Sequence, residues 1–173
     1  MEFKTFVQKN FQGNPFEMLD KEWMLITAGA ASGYNTMTAS WGGFGVIWDR
    51  PVMMAVVRLS RYTLEFMEKY DYFTCSFYPE KYREALNICG EKSGRDIDKA
   101  KEAGLTPVAV PGIAAVTFNE ARLTLVMRKL LHQDLSEQAY TASEVYAKNY
   151  PDDDIHRLFI GAIEQYVEPS LSS

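Results

Sequence analysis

Between the turn at Asp49-Arg50-Pro51 and Ser60 the chain runs Val52-Met53-Met54-Ala55-Val56-Val57-Arg58-Leu59, apolar at every position but one. A run this short, with no helical periodicity and three valines, reads as a strand. Its lack of alternation predicts burial on both faces. Such a strand needs hydrogen-bonding neighbours on both sides and a layer over each face, so the chain has to be built around a sheet.

The flanking segments supply those neighbours. Trp23 to Thr27 is a short apolar strand that ends at the small-residue turn Gly29-Ala30-Ala31-Ser32-Gly33. Asn35 to Trp48 is strand-like but interrupted by Gly42, Gly43 and Gly45, which predicts a bulge, a bend or the close approach of another group. Tyr72 to Tyr78, Ala114 to Arg128 and Ile155 to Val167 read as further strands. Helices are short. Ser60 is placed as the N-cap of one carrying Leu64, Phe66 and Met67. Pro79-Glu80 opens a second that ends at Gly90, and Ser93 with Asp96 forms a capping box for a third that stops at Gly104. The polar stretch from Asp134 to Asp154 has room for one or two helical turns. Strands dominate and the strand-helix alternation of a doubly wound sheet is missing, so the expected fold is mainly β: a closed or nearly closed barrel with helical insertions. The length of 173 residues suits one domain spanning 1–173.

Charge and composition narrow the partners. Eighteen basic against 23 acidic side chains give a net charge of −5, which argues against a nucleic-acid backbone as partner but permits a local basic pocket for one small anion. The most apolar windows, Pro51 to Val57 and Pro107 to Val116, are too short to span a bilayer, so no membrane is expected as partner. The Met1-Glu2-Phe3-Lys4 start carries no signal-peptide pattern. Cys75 and Cys89 match no zinc or redox spacing and are expected to be buried, inert thiols, which suits a cytoplasmic location.

Two stretches carry chemistry. Arg58-Leu59-Ser60-Arg61-Tyr62-Thr63 brings guanidinium and hydroxyl groups together where a buried strand passes into a helix. Guanidinium forks and the unpaired N–H groups of a helix start both suit a phosphate. The plainer alternative is a simple cap flanked by solvated arginines. In Asn35-Thr36-Met37-Thr38-Ala39-Ser40-Trp41-Gly42-Gly43, Thr38, Ser40 and nearby backbone groups could bond the edge of a planar heterocycle, with the glycines allowing close approach. Its plainer alternative is a barrel strand with a bend at Gly42-Gly43 and Trp41 in the core. Other motifs are missing: Gly42-Gly43-Phe44-Gly45 lacks dinucleotide spacing and no phosphate-loop signature occurs. Asp152-Asp153-Asp154 with His156 has no metal-ligand spacing and reads as a solvated turn, and no residue stands in a nucleophile motif, so neither a metal nor a catalytic side chain is assigned.

Together with Ser93-Gly94-Arg95-Asp96-Ile97-Asp98-Lys99, His132-Gln133-Asp134-Leu135 and His156-Arg157-Leu158-Phe159-Ile160-Gly161, these stretches resemble the flavin reductase-like family of FMN-binding split β-barrel proteins, over nearly the whole chain. The resemblance implies non-covalently bound FMN, with Asn35, Thr38, Ala39, Ser40 and Trp41 along the isoalloxazine and ribityl part. Arg58, Ser60, Arg61 and Thr63 would surround the phosphate, Lys92 and Ser93 would lie in a loop that closes over the cofactor, and His132 would reach the site from a later strand. It further implies a homodimer with flavin near the subunit interface and an oxidoreductase that takes hydride from NADH or NADPH. Alternatives are a flavoredoxin-like electron carrier without nicotinamide turnover, served by a redox partner protein, and a ligand-binding barrel without flavin. Asp153 departs from the pattern, because a glycine is expected in that turn.

Overall fold

Antiparallel hairpins build a single curled sheet in the computed structural model, which describes residues 1–168. In chain order the elements are β1 (Lys4–Thr5), α1 (Pro15–Glu17), β2 (Met24–Ala30), β3 (Gly33–Ala39), β4 (Gly42–Ile47), β5 (Arg50–Arg58), α2 (Thr63–Lys69), β6 (Tyr72–Phe77), α3 (Arg83–Glu91), α4 (Lys99–Glu102), β7 (Pro107–Ala109), β8 (Val116–Phe118), β9 (Leu123–Asp134), α5 (Ser143–Asn149) and β10 (His156–Val167). The sheet order is β3-β2-β6-β9-β10-β5-β4, with β1 added to β10 and with β7–β8 as a separate ribbon.

Mainly β architecture with short helical insertions is therefore what the chain adopts, but the barrel does not close. β3 pairs only with β2 and β4 only with β5, so these consecutive strands form the two free edges of the sheet. Ser40 and Trp41 alone carry the chain from one edge to the other. Ala39 and Gly42 can therefore be no more than about 11 Å apart at Cα, three trans-peptide steps. The result is a split barrel, curled by a covalent tether across an unpaired gap.

The interior follows from period-two patterning. Met24, Ile26 and Ala28 of β2, Met53, Ala55 and Val57 of β5, Phe73, Cys75 and Phe77 of β6, and Leu123, Leu125 and Met127 of β9 point into one core with Phe159 of β10. A second apolar layer, Leu25, Tyr78, Leu86, Cys89, Ala100 and Phe118, forms where α3 and α4 cover the outer face of β2. Both cysteines are buried and unpaired, as expected. Gly161 lies at a register shift of β10 against β9, and a Cβ there would meet Met127 and Phe73 at 3.0 and 3.1 Å. That packing lets the long central strand bend around the core.

Several local expectations change. The strands buried on both faces are β2 and β6; β5 buries Val52, Met53, Ala55 and Val57 but leaves Met54 and Val56 half-buried, because its other face borders a cavity. Its apolar run reflects that cavity. Ser60 caps nothing: α2 starts after Tyr62, and the Ser60 hydroxyl donates to Asp154 instead. Pro79 precedes a 3-10 turn, and the α-helix begins only at Arg83 and runs through Gly90. The Ser93–Asp96 capping box does not form; Asp98 caps α4 by accepting from the Lys101 N–H. The stretch from Ala114 to Arg128 is two strands, β8 and the start of β9. The β4–β5 turn falls on Trp48 and Asp49, both with left-handed φ (52° and 55°), the geometry that matches hairpin twist.

Candidate functional site

The gap between the sheet edges opens into a trough made of two joined cavities. Met37, Thr38, Ala39, Ser40, Trp41, Val56, Arg58, Arg61 and His156 line the first. The second shares Met37, Arg58 and Arg61 and continues past Ser60, Thr63, Glu91, Lys92, Ser93, Lys99 and Asp154. One end is thus neutral and aromatic, the other cationic.

At the neutral end β3 is an edge strand, so part of its backbone N–H and C=O groups is free to bond a ligand. Trp41 is not a core residue: it is 49% exposed and its ring lies 5.1 Å from that of His156. His156 is buried, and Tyr150 Oη lies 3.0 Å from its Nδ1. Burial, reinforced by Arg58 and to a smaller extent by Arg61 against an opposing pull from Asp154, lowers its pKa to about 4. The ring is therefore neutral near pH 7. The Thr38 hydroxyl donates to the Leu86 carbonyl, tying β3 to α3.

At the cationic end the positive charges are unequally spent. Arg58 donates to the carbonyls of Asp154 (2.7 Å) and Asn149 (3.4 Å) and lies 3.9 Å from the Asp154 carboxylate. Lys92 pairs with Glu102. Arg61 donates to the Gly90 carbonyl at 2.7 Å, and Lys99 to the carbonyls of Thr36 (2.9 Å) and Cys89 (2.7 Å). Neither Arg61 nor Lys99 pairs with a carboxylate among the described residues. Lys99 is only 6% exposed, and burial lowers its pKa to about 8, with Arg61 contributing in the same direction. Two neighbouring cations held only by carbonyl dipoles suit an anion. A donor set with a cationic end for phosphate and a neutral slot for a planar ring fits FMN.

The structure gathers most of the expected residues. Thr38, Ala39, Ser40 and Trp41 line the neutral end; Arg58, Ser60, Arg61, Thr63, Lys92 and Ser93 line the cationic end. Asn35 stands behind them: its amide donates to the Thr63 hydroxyl at 2.8 Å, and Gly94 packs so closely on it that a Cβ there would fall 1.9 Å from Asn35 Oδ1. His132 is not brought to the trough; it is exposed on β9 with its ring 5.9 Å from that of Phe159. The seven-residue α2 begins at Thr63, so an anion placed here would meet side chains more than a helix start. Sequence reasoning gave no role to Lys99 or His156, although both end or begin stretches that carried the resemblance. Asp154 was read as solvated, yet its carboxylate accepts from Ser60 N (3.1 Å) and Ser60 Oγ (2.7 Å).

Comparison with known proteins bears on the fold and the family. The family model described as "Flavin reductase like domain" matches residues 19–172. The chain belongs to the flavin reductase-like family. Solved structures of similar fold include flavoredoxin of Desulfovibrio vulgaris (Miyazaki F), at 20% identity and TM-score 0.66 over 86% of this chain and 69% of that one. Flavoredoxin from Methanosarcina acetivorans is similar at 20% identity and TM-score 0.67 over 96% and 76%. An FMN-binding protein from Thermus thermophilus is similar at 18% identity and TM-score 0.65 over 92% and 78%. No curated protein matches. Among the described residues no helix is long and apolar enough to cross a membrane.

Proposed function

We propose that this member of the flavin reductase-like family binds FMN without covalent attachment and is an NAD(P)H-dependent oxidoreductase of the flavin reductase type. The observation that carries the reading is the continuity of the trough: a neutral, edge-strand end walled by Trp41 joins a cationic end at Met37, Arg58 and Arg61. A molecule with a planar ring at one end and a phosphate at the other matches that sequence of surfaces.

Bound flavin supplies hydride and electron transfer, so no side-chain acid or base is needed for the chemistry. The chain's own residues bind and orient. Arg61 and Lys99 supply the counter-charge for the phosphate, and Thr63, set by Asn35, adds a hydroxyl beside them. Free backbone groups of β3 between Thr38 and Ser40 bond the ring edge, while Trp41 and neutral His156 limit water at its side. The loop with Lys92 and Ser93 forms the rim over the phosphate.

The same reading takes the whole chain as one domain and as half of a homodimer. Phe16, Trp41, Val46 and Trp48 are large exposed apolar side chains, and the last three lie on or beside the free edge strand β4. Two free thiols suit a reducing cytoplasm.

Absorbance of the purified protein with added FMN, before and after anaerobic NADH or NADPH, tests the reading. Flavin bands that shift on binding and then bleach are expected. Binding without bleaching replaces it with an electron carrier that meets a redox partner protein, and no binding leaves a ligand-binding barrel without flavin.

A further inference from the structure

The acidic turn borders the cationic cavity, and the proposed function does not use it. We propose that the Asp154 carboxylate is an internal anion seated in the Arg58–Ser60 corner, and that it sets how strongly the cavity prefers phosphorylated over unphosphorylated ligands. The inference rests on this cavity being the phosphate end of the ligand site.

The Arg58–Ser60 corner has the donors expected of an anion site: a backbone N–H, a hydroxyl and a guanidinium. All three face one carboxylate, which receives Ser60 N at 3.1 Å and Ser60 Oγ at 2.7 Å and lies 3.9 Å from Arg58 Nη1. Arg61 and Lys99, in the same cavity, have no carboxylate partner among the described residues. The cavity therefore holds two anion-binding corners, one filled by the chain itself and one free. A phosphate in the free corner feels the Asp154 charge as repulsion and finds Arg58 partly neutralised.

Removing this charge does not require releasing the segment that bears it. The strap from Asn149 to Ile155 is also held by Arg58 donating to the Asp154 and Asn149 carbonyls, and by Leu59 N–H donating to the Ile155 carbonyl at 3.0 Å. Tyr146 Oη donates to Asp153 Oδ1 at 2.9 Å, and Asp153 takes the left-handed φ of 56° that turns the strap. The carboxylate is one-third exposed, at 34%, so its loss leaves no deeply buried unpaired cation.

The test compares the wild type with Asp154→Asn and Ser60→Ala. FMN and riboflavin affinities are measured by flavin fluorescence at low salt, and the shift in Tm caused by inorganic phosphate is measured on the same proteins. Asp154→Asn should bind FMN roughly tenfold more tightly with riboflavin affinity nearly constant, the size expected for one partly screened unit charge near a dianion. It should also show the larger phosphate-induced rise in Tm. Ser60→Ala loosens the strap but keeps the charge, and should gain nothing. Parallel changes for FMN and riboflavin, a loss of FMN affinity, or an equal gain in Ser60→Ala would overturn the proposal. Should the wild type bind neither flavin, the FMN reading falls on its own. The phosphate-induced shift then decides, with a larger shift in Asp154→Asn supporting the internal anion and an equal one refuting it.

Discussion

Arg61 and Arg58 are three residues apart and both carry a guanidinium, yet among the described residues only Arg58 has a carboxylate within reach. Arg61→Ala should therefore weaken FMN binding by roughly 10- to 100-fold, the value of one charge-assisted hydrogen bond or two, with little effect on riboflavin. Arg58→Ala should cost less; comparable losses in both variants would contradict the unequal spending of charge. Lys99 adds a pH dependence. Its pKa in the folded chain is about 8 against 10.5 unperturbed, because burial opposes the charge. The unfolded chain thus binds more protons between those values, so the penalty is present in full below pH 8 and is relieved as pH rises toward 10.5. A phosphate beside the amine reverses the preference and favours the charged form. FMN affinity should fall as pH rises through 8 and should become flat in Lys99→Met, read by equilibrium titration across pH 7 to 9.5. The sequence displayed the arginines and hydroxyls of this site because they crowd into one segment. Lys99 and Asp154 were out of view because their parts depend on which distant elements α4 and the strap pack against.

Strands and glycines were legible as elements, whereas caps and the pairing partners of edges were not. Gly42, Gly43 and Gly45 marked an irregular strand, and the structure separates their roles. A Cβ on Gly42 would sit 2.3 Å from the Met54 carbonyl, while one on Gly45 meets nothing within 4 Å. Gly42→Ala should lower stability by about 1–3 kcal/mol by forcing β4 off β5, and Gly45→Ala should be neutral or slightly stabilising. Thermal denaturation of the two variants checks this, and equal midpoints would argue against the β4–β5 register. Ser60 and Ser93 fail as caps for different reasons. The Ser60 hydroxyl bonds a distant partner that tertiary structure brings near, Asp154, whereas the Ser93 hydroxyl accepts from the Arg95 N–H two residues on in a local turn.

Taken as a whole, the molecule has one free sheet edge rich in exposed apolar side chains. Val46→Asp with Trp48→Asp should convert the proposed dimer to monomer, seen by sedimentation equilibrium; a dimer unaffected by both changes would place the interface elsewhere. The mainly β composition was readable from strand patterning and the split barrel from the family resemblance, whereas patterning alone left closure open, since closure depends on how far the sheet curls and no single segment records that. The Ser40–Trp41 link has a consequence for exchange of ligand. It fastens the two walls of the trough together at one end, like the spine of a book. The cationic end is fastened as well, by Asn35 donating to the Thr63 hydroxyl and by Arg61 donating to the Gly90 carbonyl. A ligand held between two such fastenings enters and leaves through the open side of the trough, past neither end.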